Sequence, residues 1–380
     1  MRSAPLYVDP VDGATYPIET PRWRSDAGRP LMITDGPGLG RGEIETGVRS
    51  LWRYAAALPI AVSAPVSLGE GVMPLVERPF RGGRALFKLE WFAPTGSFKD
   101  RGATVMVSVL RQQGVTRILE DSSGNGGSAI AAYAAAAGMG AKIVAPASTQ
   151  PGKIVQTRAH GAEVELIPGT RQDTADAAVA QSAAIFYASH NWQAFFLQGT
   201  KTVAYELWED LGFRAPDNVI IPTGAGSNVL GCDIGFGELL RAGAIDHLPR
   251  LFAVQPQNCA PIAASVAAGA DDFIEGGLVA PTIAEGAAIA RPVRPREVLA
   301  ALRRSGGGAV AVSEAEITAA VFDLAAQGLY AEPTSAMAAA GLARLWASGA
   351  ITERETTVVL LTGTGAKATP KIGELLEARA

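Results

Sequence analysis

Residues 94–102 of this chain, PTGSFKDRG, place Lys99 between a strand-like run, ALFKLEW, and a helical pattern that starts at Gly102. A lysine at the point where a loop enters a helix lies near backbone N–H dipoles, which favour its neutral amine and orient it toward an electrophile. Such an amine can form a Schiff base with a carbonyl compound. Taken alone, Lys99 is more readily interpreted as a solvated lysine of a first helical turn that pairs with Asp100. Lys99 indicates a function only together with the segments around it.

Downstream of about residue 86, strand-like runs alternate with helical patterns. The clearest strands are RILE, KIVAPA, EVELI, NVIIP, LFAVQ and TVVLLTG, and helices are predicted at 102–113, 127–137, 200–211, 228–242 and 335–348. This alternation predicts an α/β fold in which helices cover a parallel sheet. In such a sheet, ligands bind at the carboxyl ends of the strands, where N–H groups of the following helices point outward.

Three glycine-rich segments follow predicted strands: DSSGNGGSAI at 121–130, PTGAGSNVLG at 222–231, and the end of TVVLLTGTGAK at 357–367. A glycine loop that opens a helix presents N–H groups to an anion. Each segment alone can be a plain turn or a strand-end cap. PTGAGSNVLG also matches part of a dinucleotide-binding pattern, but the next strand ends in Gln255 and Pro256. No acidic ribose partner stands there, so we reject that alternative.

Together these segments resemble the threonine synthase family of fold type II pyridoxal phosphate enzymes. PTGSFKDRG is similar to the family's cofactor-lysine motif, and the four segments occur in family order. The similarity extends to LWRY at Leu51, LGEG at Leu68, HNWQAFFLQGTKTVAYEL and TIAEGAAIARP. The resemblance implies a tryptophan synthase β-like fold with two α/β domains and the cofactor between them. The implied large domain covers residues 51–100 and 197–380, and the small domain covers 101–196.

The resemblance also implies a role for residues in each segment. Lys99 would hold pyridoxal 5'-phosphate and then move protons as general base and acid. Asn125 would contact the ring oxygen, and Thr362 would be a neutral partner of the pyridine nitrogen, which favours elimination and replacement over transamination. The residues implied for the cofactor phosphate are Gly224, Ala225, Gly226, Ser227 and Asn228. Those implied for the substrate carboxylate are Ser122, Ser123, Gly124, Gly126 and Gly127.

The implied activity is that of a lyase that converts O-phospho-L-homoserine and water to L-threonine and phosphate. A phosphate-bearing substrate needs cationic or hydroxyl partners. The candidates are Thr95, Ser97, Lys153, Arg158 and Lys201. For each cation taken singly, a solvated surface side chain is the competing interpretation.

Two departures from the family pattern bear on the substrate. Ala93 precedes PTG where Asn is common, so no polar contact is predicted there, and Gly126 follows Asn125 where dehydratases usually carry histidine. A β-elimination or β-replacement on a serine- or threonine-like amino acid, with or without a phosphate, stays open. A non-catalytic amino-acid-binding homologue is disfavoured because Lys99, the 224–228 loop and Thr362 are all present.

Residues 1–50 differ in composition and are predicted to form an appended segment. The stretch from Leu6 to Leu31 looks like a zinc ribbon without its ligands. Where cysteines would be expected stand Val8, Val11, Ser25 and Ala27. Without thiolates or imidazoles there, no structural metal is predicted. Packing of Trp23 and Pro21 is expected to hold the segment instead.

Composition limits the partners and the location. The chain has 380 residues, a net charge of -4 and no Lys/Arg-rich run, so neither nucleic acid nor an acidic membrane surface is predicted as a partner. The longest apolar run, 129–137, is far shorter than the roughly 18 to 20 residues of a membrane helix. Only two cysteines and no signal-peptide pattern favour the cytoplasm. The resemblance adds a small amino-acid substrate and a homodimer.

Overall fold

The computed structural model describes residues 4–122, 124–149 and 151–379, and the side chains of all of these except 151–153. Its strands are Leu6–Val8 (β1), Thr15–Pro17 (β2), Met32–Ile33 (β3), Leu75–Phe80 (β4), Gly83–Leu89 (β5), Arg117–Glu120 (β6), Gly140–Pro146 (β7), Glu163–Ile167 (β8), Phe186–Tyr187 (β9), Asn218–Pro222 (β10), Arg250–Pro256 (β11), Gly308–Val312 (β12) and Thr357–Leu361 (β13). Its α-helices are Lys99–Gln112 (α1), Asn125–Ala137 (α2), Pro151–Ala159 (α3), Arg171–Gln181 (α4), Ala194–Thr200 (α5), Thr202–Asp210 (α6), Ser227–Arg241 (α7), Pro261–Ala267 (α8), Pro295–Arg304 (α9), Glu314–Ala325 (α10), Pro333–Ala347 (α11) and Thr369–Glu377 (α12). The predicted alternation of strands and helices is therefore confirmed.

The chain divides into two compact units. Unit 1 comprises Met1–Val72, Ala93–Thr95 and Lys99–Thr202, and unit 2 comprises Met73–Phe92, Gly96–Phe98 and Val203–Ala380. The predicted domains assigned residues 51–72 to the larger domain, whereas these residues lie in unit 1. The reason is a contact with α1, since Trp52 Nε1 donates a hydrogen bond to Thr104 Oγ1 at 2.9 Å inside the core.

Unit 1 contains a parallel sheet of four strands in the order β8-β7-β6-β9. Helices α1 and α2 supply much of its core, including Val105, Met106 and Ile130. Small residues allow close approach in this core. A Cβ atom at Gly102 of α1 would lie 2.4 Å from the ring of Phe196, so only glycine permits the present contact between α1 and α5.

Residues from β1 to β3 form a small antiparallel sheet in unit 1, in the order β2-β1-β3. Trp23 packs edge-to-face on Tyr187 at 5.0 Å and on Trp192 at 5.3 Å between ring centroids, so the expected packing of Trp23 is confirmed. Within the described part of the chain, no group of three or more His, Cys, Asp or Glu side chains is arranged to hold a metal ion.

An ion pair joins the two turns of this segment. Arg29 Nε donates to the buried carboxylate of Asp9 at 2.9 Å, and the Arg29 guanidinium also pairs with Asp12. Arg29 N in turn donates to Ser25 Oγ at 3.2 Å. Burial raises the pKa of Asp9, but hydrogen bonds from Ser25, Val11 and Arg29 outweigh burial and hold that pKa below its usual value. A charged cluster therefore links the turns that would carry the ligands of a zinc ribbon.

We expect Asp9→Asn to destabilise the protein by about 1 to 3 kcal/mol, because it removes the buried negative charge that strengthens the hydrogen bonds from Arg29. The folded-state pKa of Asp9 lies below its unfolded value, so its contribution is present above the unfolded pKa and is lost as the pH falls through the folded pKa. Urea unfolding at pH 7 and at acidic pH measures both effects. Asp26→Asn, which removes an exposed carboxylate paired with Arg22, is the control and should change nothing measurable. Equal unfolding midpoints for Asp9→Asn and wild type would contradict the assignment.

Unit 2 contains a six-stranded sheet in the order β12-β11-β10-β13-β5-β4. Only the β4–β5 pair is antiparallel in this sheet, and every residue of β10 and β13 is buried. Buried central strands of this kind are near-continuous apolar runs, which is why NVIIP and TVVLL were recognisable. The carboxyl ends of β10 and β13 lead directly into two of the glycine-rich loops. No described helix is both long and apolar enough to cross a membrane.

Candidate functional site

The residues that precede Lys99 are fixed against the end of β13. Within unit 2, Phe98 N donates to Thr362 O at 2.9 Å and Thr364 N donates to Gly96 O at 3.2 Å. Ser97 and Gly363 form an antiparallel bridge in the same place. Lys99 follows as the first residue of α1. The segment Gly96–Phe98, which precedes the predicted cofactor lysine, is therefore anchored by main-chain hydrogen bonds within unit 2.

Lys99 is half-buried, and its Nζ lies 5.5 Å from the ring centroid of Phe196 in unit 1. The neighbouring Asp100 is buried and accepts hydrogen bonds from the Thr95 backbone N, at 2.7 Å, and from the Thr95 hydroxyl. Asp100 thus holds the loop of the motif. The hydroxyl of Thr95, a predicted donor to the substrate phosphate, is bonded to this carboxylate.

The loop predicted for the substrate carboxylate connects β6 to α2. Its end caps the helix, since Ser128 N donates to Gly124 O at 3.1 Å. A Cβ atom at Gly127 would lie 2.1 Å from Ser122 O, so the chain can fold back on itself only with glycine there. The first turn of α2 opens directly after this fold, as an anion-binding loop requires. Ser123 lies outside the described residues.

The loop predicted for the cofactor phosphate connects β10 to α7 in unit 2. Gly226 has a φ of +92°, and a Cβ atom there would lie 2.4 Å from Val298 Cγ2. A Cβ atom at Gly224 would lie 2.9 Å from Gly286 O. Asn228 Nδ2 is buried and has no hydrogen-bond partner among the described residues. A backbone cradle that admits no side chain and an unsatisfied donor together fit a phosphate group.

Thr362 is buried at the end of β13, and its Oγ1 lies 3.1 Å from the hydroxyl of Ser335. Ser335 Oγ accepts from Gly363 N at 2.6 Å, which fixes it beside Thr362. Ser335 was not predicted as a site residue, although EPTSAM opens α11 at this point. Ser97 Oγ, also in unit 2, is buried without a hydrogen-bond partner among the described residues. The two hydroxyls of Thr362 and Ser335 form a neutral pair.

The three predicted phosphate-binding cations have different surroundings. Lys201 is fully buried and its Nζ donates to the carbonyl oxygen of Ala57 at 2.7 Å, so its ammonium group is used in the core of unit 1. Arg158 is exposed in the last turn of α3. The side chain of Lys153 lies outside the described residues.

A buried pair, His190 and Glu120, adjoins the carboxylate loop and was not predicted. Glu120 ends β6, and its Oε1 lies 2.9 Å from His190 Nδ1. Burial, followed by the nearby charge of Lys99, lowers the pKa of His190, so the imidazole is neutral at pH 7. The neighbouring Asp121 accepts from the Tyr187 and Ser189 hydroxyls at 2.7 and 2.9 Å. The sequence offered one signal for this part of the site. The carboxylates of Glu120 and Asp121 in RILED stand at the end of a strand.

The comparisons with known proteins agree with this geometry. Residues 66–363 match the model of the family described as pyridoxal-phosphate dependent enzyme. The chain is 35% identical to threonine synthase of Methanosarcina acetivorans over 84% of this chain and 81% of that protein. It is 36% identical to threonine synthase of Methanocaldococcus jannaschii over 83% of this chain and 80% of that protein.

A solved structure, the processed form of threonine deaminase isoform 2 from Solanum lycopersicum, superposes with a TM-score of 0.68. It covers 90% of this chain and 95% of its own at 24% identity, a likeness that shows the fold alone. The fold is therefore that of a type II pyridoxal phosphate enzyme, as predicted, and pyridoxal phosphate is the cofactor. The chain belongs to the family of pyridoxal-phosphate dependent enzymes and is a relative of the threonine synthases.

Proposed function

We propose that this protein is a threonine synthase-like lyase that converts O-phospho-L-homoserine and water to L-threonine and phosphate. The proposal is supported by threonine synthases of 35% and 36% identity that match most of the chain. The main structural support is the glycine cradle at 224–228 with its unsatisfied Asn228 amide. The same chain also has a lysine, Lys99, at the start of a helix. Those groups suit a phosphorylated aldehyde cofactor.

We propose the following residues for the cofactor: Lys99, Asn125, Gly224, Ala225, Gly226, Ser227, Asn228 and Thr362. When bound, pyridoxal phosphate supplies an electron sink for charge that develops at Cα of an amino acid. The amine of Lys99 would hold the cofactor and would act as base and acid for the proton at Cα of the substrate. Thr362 Oγ1, held by Ser335, would be the partner of the ring nitrogen and would add no charge there. The backbone N–H groups of the glycine cradle would bind the phosphate of the cofactor.

We propose Ser122, Ser123, Gly124, Gly126 and Gly127 for the substrate carboxylate, because the start of α2 presents N–H groups there. For the substrate phosphate, position 153 is best supported. It precedes Gln156 by three residues on α3. Gln156 Nε2 donates to Thr95 O at 3.4 Å, so this face of α3 adjoins the loop that leads to Lys99.

We expect Lys153→Ala to raise the KM for O-phospho-L-homoserine by about tenfold to a hundredfold with a smaller change in kcat, since one charge-assisted contact to the phosphate is lost. Steady-state kinetics measure the split between KM and kcat. Arg158→Ala, on another face of the same helix, is the matched comparison. A larger KM effect for Arg158→Ala than for Lys153→Ala would move the phosphate site to Arg158.

The direct test is a product assay of the cofactor-loaded protein with O-phospho-L-homoserine, in which phosphate and threonine are both measured. Equal amounts of the two products support the proposal. Visible absorbance of bound cofactor without turnover would remove this substrate and leave the cofactor assignment intact.

A second activity, β-elimination or β-replacement on a serine- or threonine-like amino acid, is favoured by one observation. Thr95 and Lys201, two of the five predicted phosphate donors, are bonded to Asp100 and to the Ala57 carbonyl. O-Phospho-L-serine and O-acetyl-L-serine, tested in the same assay with pyruvate and released leaving group as readouts, separate the two activities.

We also propose a cytoplasmic location and a homodimeric state. Support for the first is the low cysteine content, and support for the second is the resemblance to the family. Cell fractionation and sedimentation equilibrium test them.

A further inference from the structure

The imidazole of His190 occupies space beside the carboxylate loop that a side chain at position 126 would need. A Cβ atom at Gly126 would lie 2.8 Å from His190 Cε1, 2.8 Å from His190 Nδ1 and 2.8 Å from Ser122 Oγ. Real Cβ atoms do not approach other heavy atoms so closely. His190 and the Ser122 hydroxyl therefore together fill the space beside Gly126 that a side chain at this position would need.

Glu120 fixes the orientation of this ring. Its carboxylate receives the His190 backbone N–H at 2.9 Å and lies 2.9 Å from His190 Nδ1. Nδ1 is the ring nitrogen that faces this acceptor, so we place the hydrogen of the neutral ring on Nδ1. Glu120 also accepts from Asp121 N at 3.1 Å, at the first residue of the loop segment. The hydrogen bonds of Glu120 thus join His190 to Asp121, the first residue of the loop segment.

His190 and Lys99 share a neighbour, the ring of Phe196. The rings of His190 and Phe196 lie 5.7 Å apart between centroids, and Lys99 Nζ lies 5.5 Å from the same phenyl ring. Because the imidazole is buried and neutral, it adds no positive charge that would compete with the loop N–H groups for an anion. The imidazole therefore affects the loop by occupying space and not by its charge.

We propose that His190, clamped by Glu120, is a positioning residue that takes the place of a side chain at position 126 and holds Ser122 and the segment 124–127 in the shape that binds the α-carboxylate of an amino-acid substrate. The inference rests on the proposed carboxylate-binding function of that loop. It assigns specificity for the carboxylate to a residue 64 positions further along the chain.

The packing part is tested without cofactor, by urea unfolding of the apoprotein in a double-mutant cycle of Gly126→Ala and His190→Ala. Gly126→Ala should lower the unfolding midpoint strongly in the wild-type background and less in the His190→Ala background, where the contacts with the imidazole are gone and that with Ser122 Oγ remains. An equal effect of Gly126→Ala in both backgrounds would overturn the proposal.

The binding part compares L-threonine with 1-aminopropan-2-ol, the same amine without a carboxylate, by titration of the visible absorbance of the cofactor-loaded protein. His190→Ala should weaken L-threonine about tenfold and leave the amine unchanged, as expected for a misplaced hydrogen-bonding loop. His190→Asn, whose amide can still donate to Glu120, should recover part of the loss. Equal weakening of both ligands would mark a general structural role and overturn the proposal.

Failure of the proposed function gives a different result from failure of this inference. A wild-type protein that acquires visible cofactor absorbance but responds to neither ligand would count against amino-acid chemistry itself. The apoprotein cycle would still decide whether His190 sets the shape of the loop.

Discussion

Substituting alanine for Lys99 is expected to remove the covalent link to pyridoxal phosphate and to lower kcat by about a thousandfold or more. Two functions are lost together, because the same amine is proposed both to hold the cofactor and to exchange the Cα proton, and proton transfer by a positioned group alone contributes about 10² to 10⁴ in rate. The absorbance near the visible edge should change to that of free cofactor, which dialysis then removes. Borohydride reduction followed by peptide mapping locates the link in the wild type.

Lys142→Ala is the matched control for this experiment. Lys142 is another lysine of unit 1, but it pairs with Glu163 and Glu165 in the sheet, so its removal should leave cofactor binding unchanged. Pyridoxal phosphate found on a different lysine after reduction would refute the assignment of Lys99. Retained turnover in Lys99→Ala would refute its role in proton transfer.

The fold was predictable where single segments carry enough signal. NVIIP and TVVLL are fully buried strands, and their runs of three and four aliphatic residues mark such strands without reference to any partner. The N-terminal segment gave no such signal. Its strands have three, three and two residues, too short for a period to develop, and the Asp9–Arg29 pair that joins its turns spans 20 positions.

The site was predictable to the extent that it is local. The glycines at 224 and 226 stand in one loop, and their small size is itself the signal. Glu120 and His190 are 70 positions apart, and the Ser335–Thr362 hydroxyl pair spans 27, so only the folded chain shows these contacts. Spacing also could not show that Lys201 is buried against the Ala57 carbonyl.

Gly226→Ala is expected to weaken pyridoxal phosphate binding by about a hundredfold, because the new Cβ atom would lie 2.4 Å from Val298 Cγ2 and must displace the loop proposed to cradle the phosphate. The φ of +92° at this residue adds backbone strain of about 1 to 2 kcal/mol for an L side chain. The dissociation constant, from absorbance titration of the apoprotein, and the urea midpoint separate binding from stability.

Gly243→Ala separates strain from crowding. Gly243 also lies in unit 2 with a φ of +67°, but a Cβ atom there would meet no atom within 4 Å. It should therefore lose stability through strain and keep its cofactor affinity. Val298→Ala, combined with Gly226→Ala, opens the crowded space and should restore part of the affinity. If Gly226→Ala and Gly243→Ala bound pyridoxal phosphate equally well, the loop at 224–228 would not be the phosphate cradle, and the anion would have to be sought elsewhere.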